Sequence, residues 1–174
     1  MTSLPEMEFR SGIGFDSHPL AEGRKLVLGG VEIPHGQGLS GHSDGDVVVH
    51  AVIDALLGAA NLGDKGLHFP SSDPQYKGIS SLILLKQVGV LVAQSGWRLS
   101  NVDATIIAQN PRLNTFNLEM RENVAKTLSV EPHCISIKAT TTDHLGFVGR
   151  DEGIAAIAVV SLMSGGRQQP APVN

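Results

Sequence analysis

The segment GIAAIAVVSLM, residues 153–163, constrains the fold most. Its small and β-branched residues read as a strand, and it carries no charge. Side chains of a strand alternate between two faces. A strand apolar at successive positions therefore needs cover on both sides. The other strand patterns are FRSGIGFDS (9–17), WRLSNVDATIIAQ (97–109) and ISIKATT (135–141). KLVLGGVEI is a β-hairpin signal with Gly29-Gly30 as its two-residue turn. Helical patterns cover DVVVHAVIDALLGAAN, with Ser43 or Asp44 as its cap, then residues 80–94 and 115–128. On the first helix, Val47, Ala51, Ala55 and Gly58 form one tightly packing face. The expected fold is α+β: a four-stranded mixed β-sheet with helices on one face, plus a small β-hairpin. The uncovered sheet face is expected to be buried by association of copies.

The chain has 174 residues, a net charge of −4 and a single cysteine, Cys134. That length suits one domain, residues 1–163, and the Gly-, Pro- and Gln-rich end, residues 164–174, reads as a disordered tail. The mild acidity argues against nucleic acid as a partner. One thiol excludes an internal disulfide, so a metal site must use His, Asp and Glu. No apolar run reaches the roughly 18 to 20 residues of a membrane span. MTSLPEMEFR lacks the pattern of a signal peptide, so a cytoplasmic protein is expected.

GFDSH places Asp16 and His18 two residues apart, on one face of the first strand. His50 lies in the first helix, one turn from Asp46 and one from Asp54. A histidine on such a face is more often a satisfied core residue than a ligand. Together with Asp16 and His18 it makes two histidines and a carboxylate, an ordinary open zinc site. Asp46 or Asp54 would then orient the His50 ring, or Asp54 would bind a substrate hydroxyl. HSDGD (42–46) is either a turn and helix cap, or a place where His42 and Ser43 hold an anion near a helix N-terminus. KATTTD (138–143) ends a strand with three hydroxyls and a carboxylate, a set that suits a phosphate with magnesium on Asp143. Arg150 is a solvated loop cation or an anion clamp. AQNPRLN (108–114) is a turn whose main chain can read a nucleobase edge. LGDKGLHFPSSDPQYKG reads as a long loop of the kind often used for function.

Taken together, GFDSH, LSGHSDGDVVVHAVIDALLGAANLGDKGLHFP, NVDATIIAQNP and KATTTDHLGFVGRDEGIAA resemble the 2-C-methyl-D-erythritol 2,4-cyclodiphosphate synthases, in order and over nearly the whole chain. The resemblance implies a homotrimer with active sites between neighbouring subunits. It implies conversion of 4-diphosphocytidyl-2-C-methyl-D-erythritol 2-phosphate to the cyclic diphosphate and CMP, in the non-mevalonate isoprenoid pathway. By position it implies zinc on Asp16, His18 and His50, and magnesium or manganese on Asp143. His42 and Thr141 would be catalytic, and Ser43 would hold the 2-phosphate. Asp64, Gly66, Phe69 and Asp73 would hold the erythritol part. Ala108, Pro111, Asn114, Thr140 and Thr141 would form the cytidine pocket. Phe147 and Arg150 would line a central cavity able to take an isoprenoid diphosphate. Three positions depart from the family pattern: Asp143 stands for the usual Glu, His144 for a common Lys, and Ser71 for a common acid. A zinc phosphohydrolase using His42 as base, or a non-enzymatic isoprenoid-binding scaffold, are the competing readings of the same residues.

Overall fold

The computed structural model describes residues 7–164. Twelve strands and α-helices follow one another: β1 (Phe9–Ala21), β2 (Leu26–Leu28), β3 (Val31–Ile33), β4 (Gly38–Leu39), α1 (Val47–Ala60), α2 (Lys65–His68), α3 (Ser81–Gln94), β5 (Trp97–Ile107), α4 (Asn117–Leu128), β6 (Ile135–Thr140), α5 (Gly146–Gly149) and β7 (Gly153–Ser164). The main sheet has the order β4-β1-β7-β5-β6. Only β5 and β6 run parallel; the other neighbours are antiparallel. The apolar strand β7 is the middle one, paired with β1 on one side and β5 on the other. On the helix side of β7, Ala156, Ala158, Val160 and Leu162 are fully buried. On its other side, Ile157 and Val159 stay exposed, level with Phe15 and Ile13 of β1.

The sheet has five strands rather than four. β1 continues past Ser17 to Ala21, and its end pairs with the two-residue strand β4 through Leu20↔Leu39 and Ala21↔Gly38. The GHSDG loop therefore leaves the sheet edge directly beside the strand that carries Asp16 and His18. Other boundaries also differ from the sequence pattern. The long loop after α1 contains the short helix α2 and a 3₁₀ turn, Pro74–Tyr76. A 3₁₀ turn, Asn114–Phe116, precedes α4, which starts at Asn117. Ser164 closes β7, and the expected tail, residues 165–174, lies outside the described residues.

Helix α1 is buried at nearly every position, because it lies between the sheet and α3. Its cap is Asp46, not Ser43 or Asp44. The Asp46 carboxylate accepts the N–H of Val48 and Val49, each at 3.1 Å. It also accepts Gly29 N–H at 2.9 Å and Gly30 N–H at 2.7 Å, tying the hairpin turn to the helix. Both turn glycines have positive φ, 56° and 73°, as a two-residue hairpin turn of this hand requires. The close contact of α1 with β1 rests on Gly12 and Gly14. A Cβ on Gly14 would lie 2.0 Å from Ala51 O, and one on Gly12 would lie 2.1 Å from Ala55 O. Ala51 and Ala55 thus belong to the packing face as expected. Gly58 does not: it is exposed, and Ala59 makes the contact with Gly12.

Candidate metal centre and active site

Alternation along β1 turns Gly12, Gly14, Asp16 and His18 towards the helices, while Ile13 and Phe15 face away. The glycines bring α1 against the strand, and His50, one turn into α1, meets the two polar side chains. His50 Nδ1 lies 2.8 Å from Asp16 Oδ2, His18 Nε2 lies 3.0 Å from the same oxygen, and the two nitrogens are 3.2 Å apart. A tetrahedral ion with bonds of about 2.0–2.2 Å has ligand-to-ligand edges of about 3.3–3.6 Å. The observed triangle is slightly smaller and needs only small side-chain adjustments to become one face of such a tetrahedron. Two imidazoles and one carboxylate are a donor set that zinc accepts, with the fourth position open. The residues present therefore fit a divalent metal.

The electrostatics suit that use. Burial raises the Asp16 carboxyl, but hydrogen bonds with His18 and His50 and the nearby Lys65 ammonium outweigh it. The group is held well below the usual carboxylate range. Lys65 Nζ lies 3.3 Å from Asp16 Oδ1, the oxygen turned away from the histidines. Burial, then Lys65 and His18, push the His50 pKa down against the pull of Asp16. A neutral imidazole and an ionised carboxylate are the ligand forms that bind metal. The far nitrogen of His50, Nε2, lies 2.9 Å from Ser81 Oγ and 3.0 Å from Ser43 Oγ. Neither candidate orienting carboxylate touches the His50 ring. Asp46 is engaged with the hairpin, and Asp54 accepts Lys65 N–H at 2.7 Å.

The two histidines of the triad, His18 and His50, line a cavity of about 290 Å³ together with His42, Ser43, Lys65, Gly66, Phe69 and Ser71. His42 is oriented by donation from Nε2 to the Asp73 main-chain oxygen, 3.1 Å away. Phe69 packs edge-on against Tyr76, with centroids 5.4 Å apart. Asp64 and Asp73 flank this wall as caps. Asp64 accepts Leu67 N–H at 2.9 Å, and Asp73 accepts Gln75 N–H at 3.0 Å.

A second group of expected residues gathers at the ends of β5 and β6. Ala108 N–H donates to Thr140 O at 3.0 Å, which joins the turn containing Pro111 and Asn114 to the end of β6. Thr141 Oγ1 lies 3.2 Å from both Asp143 Oδ1 and Asp143 N. Asp143 and His144 both have positive φ, 49° and 65°, a strained pair of the kind found at functional loops. These residues are at the same end of the sheet as the triad, but not beside it. The register runs Thr140↔Ile107↔Ala155↔Ser17, so three strand spacings, about 14 Å, separate the two groups. Phe147 lines a shallow cleft with Ser17, His18 and Pro19. Arg150 makes a two-bond pair with Glu152, at 2.8 and 3.0 Å.

Residues 9–163 match the sequence model of the YgbB family. The chain belongs to the YgbB family. It is 60% identical over 151 residues to the 2-C-methyl-D-erythritol 2,4-cyclodiphosphate synthase of Syntrophomonas wolfei, covering 87% of this chain and 96% of that protein. Among solved structures it resembles the bifunctional IspDF of Campylobacter jejuni, with a TM-score of 0.89 and 45% identity. That match covers 92% of this chain and 43% of the bifunctional one. It also resembles the CDP complex of IspF from Plasmodium falciparum, with a TM-score of 0.79 and 31% identity, covering 90% of this chain and 96% of that one.

Within this YgbB-family fold, four residues at the site were not singled out by sequence reasoning: Asp44 in any role but a cap, Lys65, Ser81 and Glu152. Their signals were weak. Asp44 and Ser81 read as helix-start residues, and Lys65 sits in a segment without periodicity. Glu152 is two residues from Arg150, and that spacing alone does not announce a pair. No helix among the described residues is long and apolar enough to cross a membrane.

Proposed function

We propose that the protein converts 4-diphosphocytidyl-2-C-methyl-D-erythritol 2-phosphate into 2-C-methyl-D-erythritol 2,4-cyclodiphosphate and CMP, in the cytoplasm. The observation that carries this reading is the convergence of Asp16, His18 and His50 on a cavity, in a chain 60% identical to a synthase of that name. An oxygen of the 2-phosphate attacks the β-phosphorus and forms a new P–O bond. The bond from that phosphorus to the bridging oxygen breaks, and the oxygen leaves with CMP. No water is consumed, so no side chain has to activate one. When bound, zinc at Asp16, His18 and His50 and magnesium or manganese at Asp143 supply Lewis-acid neutralisation of the diphosphate charge.

The chain's own residues bind and orient. Thr141 donates a hydrogen bond to the reacting phosphates, and His42 does so once its Nε2–H leaves the Asp73 main-chain oxygen, at the point where charge develops. Ser43 holds the 2-phosphate, and Asp64, Gly66, Phe69 and Asp73 hold the erythritol part. Ala108, Pro111, Asn114 and Thr140, with Thr141, take the cytidine. The CDP complex formed by the Plasmodium relative supports a cytidine nucleotide here. Asp143 is one methylene shorter than the usual Glu and keeps the carboxylate that would hold magnesium or manganese there.

The active form is a homotrimer. Phe9, Ile13, Phe15, Ile157 and Val159 make one exposed apolar sheet face, a patch that association would bury. The roughly 14 Å between the triad and the Thr140–Asp143 group supports an active site completed by a neighbouring subunit. Phe147 and Arg150 then lie near the axis, where an isoprenoid diphosphate would bind. Arg150 must first exchange its Glu152 partner for the diphosphate.

The test is phosphorus NMR of the cytidyl substrate with zinc- and magnesium-loaded protein. The cyclic diphosphate and CMP are expected in equal amounts. Free orthophosphate or a linear bisphosphate would show a phosphohydrolase instead. An unchanged substrate spectrum alongside isoprenoid binding would show a scaffold.

A further inference from the structure

The hydrogen-bond inventory around His50 assigns a role to two residues outside the metal triad and the substrate contacts. Ser81 is fully buried at the start of α3. Its main-chain N–H donates to Asp44 Oδ2 at 2.9 Å, and its hydroxyl donates to Asp44 Oδ1. A serine hydroxyl has one proton and two lone pairs. With that proton on Asp44, the Ser81 oxygen can only accept. His50 Nε2, 2.9 Å away, must therefore carry the ring proton. A neutral imidazole has a single N–H, so Nδ1 is left as a bare lone pair. That lone pair points at Asp16 Oδ2, 2.8 Å away, and at His18 Nε2, 3.2 Å away. A bare nitrogen and a carboxylate oxygen at this distance repel unless a cation lies between them.

We infer that Asp44 and Ser81 are positioning residues that fix the His50 tautomer and ring orientation, so that Nδ1 is presented to the metal. The Ser43 proton is constrained as well. His50 Nε2 already bears a hydrogen and cannot accept, so the Ser43 hydroxyl donates to Ser81 or into the cavity it lines. The orientation of a ligand on α1 is thereby set by a carboxylate in the preceding loop and the first residue of α3. Hydrogen-bond partners of this kind typically change metal affinity about 10–100-fold when removed.

The inference rests on the metal-centre reading above, and the experiment separates the two. Zinc affinity is measured by competition with a chromophoric chelator for wild type, His50→Ala, Ser81→Ala and Asp44→Asn. Nitrogen-15 NMR of the imidazoles reports the His50 tautomer. Wild type binding zinc, His50→Ala losing it, and Ser81→Ala binding at least about tenfold more weakly with a mixed tautomer is the expected result. A wild type without zinc affinity would overturn the metal centre itself. A folded Ser81→Ala that binds zinc like wild type with the tautomer unchanged would overturn only the inference. If Ser81→Ala does not fold, Asp44→Asn decides: it keeps one acceptor oxygen and should bind severalfold more weakly, and wild-type affinity there overturns the inference.

Discussion

Gly14→Ala is the substitution that most directly tests how the metal centre is assembled. The added Cβ would sit 2.0 Å from Ala51 O, 2.7 Å from Ala55 N and 3.0 Å from Ala51 C, all backbone atoms of α1. Real Cβ contacts do not fall below 3.0 Å, so α1 must retreat from β1 by about 1 Å. Neither partner can yield locally: β1 is hydrogen-bonded into the sheet next to β7, and α1 is pinned from behind by α3. Overpacking a well-filled interface costs about 1–3 kcal/mol, and a backbone-on-backbone clash belongs at the top of that range. At about 2–4 °C per kcal/mol for a domain of this size, the melting temperature should fall by about 6–12 °C. The same 1 Å shift carries His50 away from Asp16 and His18, whereas metal–ligand distances tolerate about 0.2 Å. Zinc affinity should therefore fall far more than stability alone would dictate. The assay is thermal unfolding of the metal-free protein beside a chelator competition on the fraction that remains folded. Gly58→Ala is the control, since that glycine is on the same helix with nothing within 4 Å. It should be neutral or raise stability by up to about 1 kcal/mol. A Gly14→Ala protein that melts with wild type and keeps wild-type zinc affinity would refute the idea that these glycines assemble the site.

Asp46→Ala removes the acceptor of four main-chain N–H groups, two at the start of α1 and two in the hairpin turn. Loss of the cap costs about 1 kcal/mol and each stranded buried amide about 1–3 kcal/mol, so urea unfolding should show a loss of at least about 3 kcal/mol. In the metal-free protein, Asp16 is ionised far more readily than in the unfolded chain, so it stabilises the fold above about pH 4 and that contribution is lost as pH falls. Asp16→Asn should flatten the acid limb of the stability curve, and an unchanged limb in acid titration would contradict this. Ile13→Lys places a charge on the exposed apolar face, opposite Val159. Sedimentation is expected to give a trimer for wild type and a dissociated protein for Ile13→Lys, with activity lost and the circular dichroism unchanged.

Much of this arrangement is already written in local patterns. The alternation in GIGFDSH puts Asp16 and His18 on one face, and that face is the one with the glycines. The apolar run of β7 announces a strand needing cover on both faces; it is the middle strand of the sheet, with one face against the helices and Ile157 and Val159 exposed on the other. The hairpin turn at Gly29-Gly30 follows from two adjacent residues free to take positive φ. The features that escaped depend on long-range contacts. Asp46 looks like one of several acidic residues near a helix start, and its hairpin partners lie 16 and 17 residues earlier. Ser81 is 31 residues from His50, and no local period connects them. Strand β4 has only two residues, too few to show alternation, and it forms because the end of β1 offers it a partner.

The Asp16, His18 and His50 triad and the cavity beside it come from residues 16–84, between β1 and the first turn of α3. Everything assigned to the nucleotide comes from residues 108–143, beyond β7 and β5 in the sheet. A single chain holds both halves rigidly apart, because the strands between them are fully paired and cannot fold over to bring them together. The substrate has one diphosphate that must touch both. Either a neighbour supplies the second half, or the nucleotide lies across three strands of its own subunit. The first alternative predicts complementation: mixing His50→Ala with Asp143→Ala subunits should restore activity at one of the three sites of each mixed trimer, although each parent is inactive. The second predicts none, so the absence of rescue after subunit exchange has been verified would remove the shared site.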